Sequence, residues 1–232
     1  MDKLTTPTQL IERVYETILD AICEGTLKPN ERITQEGLAT TLGVSRQPIL
    51  QAFQILKREG FIEESGRKGV AVTPLDGGKL VNLYQVRGAL DALAARSAAK
   101  RFSKVSPKPF RAAVEALVTE GRVAAESNDT RALVRMDMAF HKLVYELSGN
   151  PVIVETSELH WHHIRRAMSS ILQNDVRTFK GVWDEHEAII EAILCGDEDE
   201  AGSLAQKHAE SAAEHLAKIL QEPEHASKLS GA

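Results

Sequence analysis

The chain is poor in several things, and each shortage removes a class of protein. Its 232 residues include only two cysteines, Cys23 and Cys195, each inside a helical pattern. They can build neither a disulfide framework nor a thiolate metal cluster. No run approaches the roughly 18 apolar residues of a membrane-spanning helix. The N-terminus lacks a signal-peptide pattern, so a cytoplasmic protein with no membrane partner is expected. Low-complexity tracts and convincing repeats are also missing. A net charge of −5 gives the chain no general affinity for polyanions. Basic charge is nonetheless concentrated locally: residues 26–68 carry seven Lys and Arg against five Asp and Glu.

What is present begins with residues 34–56, which read as two short helices joined by a glycine turn. Thr34 caps the first helix in this reading, Leu38, Ala39 and Leu42 form its inward stripe, and Gly43 turns the chain. Ser45 caps the second helix. Pro48 falls in its first turn, where a missing N–H costs little, and Ile49, Ala52, Phe53 and Leu56 recur at helical spacing. Arg46, Gln47, Leu50, Gln51 and Gln54 are left on the opposite face. Arg can bond guanine O6 and N7 and Gln can bond adenine N6 and N7, which suits this face to the DNA major groove.

Two β-prone runs follow, Phe61–Ser65 and Gly69–Thr73, around a turn bearing Arg67 and Lys68. Beside a helix-turn-helix this hairpin is a wing whose cations can reach phosphates or a minor groove. An upstream helix with an apolar stripe stops at Gly25. The expected fold class is mainly α: an N-terminal winged helix-turn-helix of three helices plus a β-hairpin wing, then an all-α antiparallel helical bundle.

Leu27-Lys-Pro-Asn-Glu-Arg-Ile33, Leu38-Ala-x-x-Leu-Gly-Val-Ser-Arg46 and Leu56-x-x-x-Gly-Phe-Ile62 resemble the N-terminal domain of the GntR family of bacterial transcription regulators. The chain departs from that family at Leu50-Gln51, where Arg-Glu is common, and at Asn30, where Gly is usual. Both Asn and Gly tolerate a positive φ. The expected DNA-binding residues are Thr34, Ser45, Arg46, Gln47, Gln51, Arg67 and Lys68, and the expected partner is a palindromic double-stranded operator read by a homodimer.

Thr73-Pro-Leu-Asp-Gly-Gly78 interrupts the regular patterning. Residues 1–74 are expected to form the winged domain, 75–78 a linker, 79–221 a helical domain that binds metal and effector and dimerises, and 222–232 a flexible tail. Six helical patterns follow the linker. On the third, Asp137 and His141 are spaced i, i+4 on an apolar face. His186 lies among Trp183, Ile189, Ile190 and Ile193 on the fifth, and His208 beside Leu204, Ala205 and Ala212 on the sixth. An unpaired buried carboxylate is costly, and imidazoles brought to it make a site for a divalent ion, with zinc, nickel and manganese as candidates. His215, one heptad beyond His208, rivals it as the fourth donor, and His160, His162 and His163 on the fourth helical pattern are candidates for lining a cavity there.

Asp137-x-x-Phe-His141, Leu-Ser-Gly-Asn-Pro151 and Glu185-His-x-x-Ile-x-x-Ala-Ile-x-x-Gly-Asp197 are similar to the effector domain of the FadR-like branch of this family, with the six-helix count of its VanR-type subgroup. That resemblance implies a metal site of Asp137, His141, His186 and His208, and a place for Arg87 at the effector cavity. Open metal positions suit a small organic acid, with Arg87 as its clamp and Arg165 as a second effector-binding candidate. The expected function is a DNA-binding regulator, a repressor controlled by a small carboxylate, and not an enzyme. The alternatives are a regulator for which the metal itself is the signal, and a metal-dependent hydrolase.

Overall fold

A computed structural model describes residues 8–66, 69–127, 129–172 and 181–221. The chain divides into two compact units between Leu75 and Asp76. The first contains α1 (Thr8–Cys23), β1 (Arg32–Thr34), α2 (Gln35–Leu42), α3 (Arg46–Glu59), β2 (Ile62–Ser65) and β3 (Gly69–Val72).

Val14, Ile18, Leu19 and Ile22 of α1 form one buried stripe against Ile49, Ala52, Phe53 and Leu56 of α3. Gly43 (φ 65°) ends α2 and donates its backbone N–H to carbonyls of the last turn. Asn30 adopts φ 62°, the conformation for which Asn substitutes for Gly. The expected hairpin belongs to a three-stranded antiparallel sheet of order β1-β3-β2, with Arg32 opposite Ala71 and Ile62 opposite Val72. Three residues are too few to show the alternation that marks a strand, so β1 was not legible in the sequence. Its one buried residue, Ile33, joins the core.

The second unit consists of six helices, with no strand among its described residues: α4 (Gly77–Phe102), α5 (Lys108–Ser127), α6 (Thr130–Ser148), α7 (Pro151–Leu172), α8 (Val182–Cys195) and α9 (Glu198–Gln221). Gly77 and Gly78, expected in the linker, form the first turn of α4. The Asp76 carboxylate accepts from Lys79 N at 3.1 Å and supplies the cap that offsets two poor helix formers. Asp129 starts α6 in the same way, accepting from Arg131 N and Ala132 N, and Gly149 (φ 72°) stops it. α4 is central, packing on α6, α7, α8 and α9. Its Ala94, Ala95, Ala98 and Ala99 are wholly buried, and at Gly88 a Cβ would come within 3.3 Å of Ala209 Cβ. Small residues thus let α9 approach α4 closely, which brings α6, α8 and α9 around one point. No described helix is long and apolar enough to cross a membrane.

Candidate functional site

At that point Asp137, His141, His186 and His208 meet, all buried. The i, i+4 spacing on α6 sets Asp137 and His141 on one face, α8 supplies His186 and α9 supplies His208. Asp137 Oδ1 lies 3.5 Å from His186 Nε2, and Oδ2 lies 3.9 Å from His141 Nε2. His186 Nε2 is 3.4 Å from His208 Nε2. Tetrahedral ligands on bonds of about 2.1 Å stand roughly 3.4 Å apart, so these donor spacings fit one divalent ion. Asp137 Oδ2 is buried without a hydrogen-bond partner, and a cation at the centre would compensate it. His215 is not part of this four-donor group.

Two of the imidazoles are held in the form a metal binds. Burial, then the Arg87 charge, holds His141 below the ordinary histidine value. Burial, followed by the two neighbouring histidines, pushes His186 well below it. Both are neutral at pH 7, with lone pairs to offer.

A second layer surrounds the cluster, and the sequence reading missed most of it. Arg87 Nε donates to Asp91 Oδ2 at 3.2 Å, and its Nη2 donates to His141 Nε2. The Arg87 guanidinium is sandwiched between the Tyr84 and Trp161 rings, at 5.2 and 5.1 Å from their centroids. Tyr145 Oη donates to Asp91 Oδ1 at 2.5 Å. Burial works against an ionised Asp91, but His141, Arg87 and Tyr145 outweigh it and hold the carboxyl well below its usual range. On α9, His208 Nδ1 donates to Glu185 Oε2 at 2.7 Å. Asp91, Tyr145 and Trp161 were not singled out from sequence. The one available signal was Asp91 four residues after Arg87.

A cavity of about 220 Å³ opens beside the cluster, lined by Tyr84, Met168, Glu185, His208, Ser211 and His215 among others. Arg87 and Arg165, expected to hold an effector, are not among its described lining residues. Arg87 is 3% exposed and already engaged by Asp91 and His141. Arg165 is half-buried on α7.

In the first unit the face expected to read DNA lies on α3. Gln47, Leu50, Gln51 and Gln54 are exposed. Thr34 Oγ1 accepts from Gly37 N at 3.1 Å, as a capping residue should. Ser45 stands at the N-cap of α3 but makes no side-chain cap bond, which corrects the role expected of it. Arg46 is not free in solvent: its guanidinium donates to Glu36 Oε1 at 2.7 Å. Arg67 and Lys68 lie outside the described residues.

Residues 10–72 match the family described as bacterial regulatory proteins, gntR family, and residues 82–211 match the FCD domain. The chain belongs to the GntR family, with an FCD domain as its helical unit. This GntR regulator is 26% identical over 220 residues to the HTH-type transcriptional regulator YdhC of Bacillus subtilis (strain 168), covering 95% of this chain and 96% of that one. It is 25% identical over 209 residues to the probable D-xylose utilization operon transcriptional repressor of Paenarthrobacter nicotinovorans, covering 89% of this chain and 88% of that one. E. coli McbR/YncC shares its fold with a TM-score of 0.76 at 18% identity, over 90% of this chain and 97% of that chain. The family and these relatives are transcription regulators, so the hydrolase alternative falls.

Proposed function

We propose that this GntR regulator is a dimeric repressor whose FCD domain holds one divalent ion through Asp137, His141, His186 and His208 and takes a small organic acid in the adjoining cavity. The observation that carries this reading is the buried, unpartnered Asp137 Oδ2 facing three imidazoles at ligand spacing. An N₃O donor set suits zinc, nickel or manganese. His208 is both a donor and part of the cavity wall, so an acid lying there is next to the ion. Arg87 adds positive charge behind Tyr84 and serves chiefly to hold Asp91 and His141. The relatives' names support repression: a second, 23% identical, is the gluconate operon transcriptional repressor of Bacillus subtilis (strain 168).

In the winged domain, Arg46, Gln47 and Gln51 read base edges in this proposal, while Thr34, Ser45 and the wing cations Arg67 and Lys68 bond phosphates. Acid binding alters operator affinity through the short segment around Pro74 and Leu75. The test uses DNA selected by the protein from random duplexes, titrated by fluorescence anisotropy with metal-free and zinc-loaded protein, with and without organic acids ranked by thermal shift. An acid that binds zinc-loaded protein and changes DNA affinity about tenfold, equivalent to about 1.4 kcal/mol, supports the proposal. If zinc alone produces the whole effect, the ion is the signal; if neither does, the cluster is not the regulatory input.

A further inference from the structure

A metal-binding imidazole must point one nitrogen's lone pair at the ion, and a neutral imidazole has only one to offer. Which nitrogen offers it depends on where the other nitrogen's proton is held. For two of the three histidines here, the surroundings decide the matter.

His208 Nδ1 is 2.7 Å from Glu185 Oε2, a normal hydrogen-bond length with a carboxylate oxygen as acceptor. The proton is therefore on Nδ1, and Nε2, which faces His186, carries the lone pair. His141 Nδ1 is 3.4 Å from Asp91 Oδ2, while its Nε2 receives a bond from Arg87 Nη2. A guanidinium can only donate, so His141 Nε2 must be the acceptor and Nδ1 the protonated nitrogen. Asp91 is itself fixed from two sides, by Arg87 Nε on one oxygen and Tyr145 Oη on the other. His186 differs: its Nδ1 is buried without a partner.

We propose that Asp91 and Glu185 are positioning residues, each holding the Nδ1 proton of one histidine, His141 and His208, so that each ring keeps its lone pair on Nε2: that of His208 faces His186, and that of His141, which accepts from Arg87 Nη2, is open to an ion once Arg87 gives it up. The two carboxylates come from helices that contribute no other acid to the cluster's support: Asp91 from α4 and Glu185 from the turn of α8 that also bears His186. Outer carboxylates of this kind fix ring orientation and raise ligand basicity. His186 has no such carboxylate on Nδ1: its ring packs against Phe140 and Trp183, and its Nε2 lies beside His208 and Asp137.

The histidine tautomers can be read without any metal; only the affinity arm rests on the metal reading proposed above. Long-range ¹H–¹⁵N spectra of the metal-free full chain should show His141 and His208 as Nδ1–H tautomers. Glu185→Ala should shift His208 away from that state and leave His141 unchanged. Zinc affinity, measured by competition with a chromophoric chelator, should fall roughly 10- to 100-fold in Glu185→Ala. Glu120→Ala, which removes an exposed carboxylate on α5, should bind as the wild type does. A wild-type His208 protonated on Nε2, or a Glu185→Ala variant with unchanged zinc affinity, overturns the proposal. Wild-type protein that binds no zinc overturns the metal reading instead, and the tautomer spectra still decide the positioning role.

Discussion

His186 lies flat on Phe140, with ring centroids 3.9 Å apart and planes 11° from parallel, while the Trp183 ring meets it nearly at right angles at 4.8 Å. This dry aromatic setting disfavours the charged imidazole and has a consequence for stability. His141 and His186 both bind protons less readily folded than unfolded, where the value is about 6.5. Below that pH the unfolded chain takes up protons that the folded one refuses, so stability falls with acidification and is complete above it. The melting temperature of metal-free protein should drop between pH 7.5 and 5.5, and bound zinc should be lost over the same range. A melting temperature that stays flat or rises on acidification contradicts the buried neutral pair.

The four-donor assignment separates two histidines on α9 that the sequence left in competition. His208→Ala and His186→Ala should each abolish stoichiometric zinc in reconstituted protein. His215→Ala should keep it, because His215 stands on the cavity wall outside the donor group. Elemental analysis of the three variants decides the register of the helix.

Arg87 and Asp91 are both 97% or more buried, and removing one strands the other. Arg87→Ala should lose about 3–5 kcal/mol of stability by leaving Asp91 without its cation. The double variant Arg87→Ala with Asp91→Asn should recover part of that loss. Denaturant unfolding of all four members of the cycle measures the coupling, and strictly additive losses would show that the pair is not a unit.

Gly121 on α5 faces the Trp183 ring so closely that an added Cβ would stand 2.0 Å from it. Trp183 is 1% exposed and backs His186, so it has little room to retreat. Gly121→Ala should cost about 1–3 kcal/mol or more through overpacking, and it should also weaken zinc binding. Gly181→Ala, where a Cβ meets nothing within 4 Å, is the matched control. Equal unfolding midpoints for the two would show that the indole yields.

The exposed Glu36–Arg46 pair adds little to stability, because solvent screens it. In the proposed reading its effect is on DNA binding. Arg46→Ala should cost about 1–3 kcal/mol on the selected sequence and almost nothing on random duplex. Glu36→Gln, which removes an acid beside the reading helix, should tighten binding to both and leave the melting temperature within a degree or so. Equal losses on both duplexes in Arg46→Ala would make it a phosphate contact.

The parts of this structure that were legible in the sequence are those with local causes. Gly149-Asn-Pro151 and Gly196-Asp197 carry local stop and start signals that end one helix and open the next here, and the four donors stand out because helical periodicity sets each on an apolar face. Asp91 and Tyr145 escaped because their bond spans 54 positions and each alone looks like an ordinary helix residue. Nothing in the spacing shows that Arg87, expected at the effector cavity, also bonds Asp91 and His141 in the fold. Trp161 carries no signal of its own in the sequence, yet its ring backs both His141 and Arg87. Ser45 has the right position for a cap, and only the local geometry shows that its hydroxyl is not used.

Thr34 is at once the last residue of β1 and the cap of α2. A single residue therefore bolts the sheet carrying the wing to the helix pair carrying the reading face, and the strand it ends lies beside β3, not at the hairpin's outer edge. Wing and reading helix should consequently loosen as one piece: hydrogen exchange at β3 amides and at the first turn of α2 should accelerate together in Thr34→Ala. If exchange quickens in only one of the two places, Thr34 does not join them.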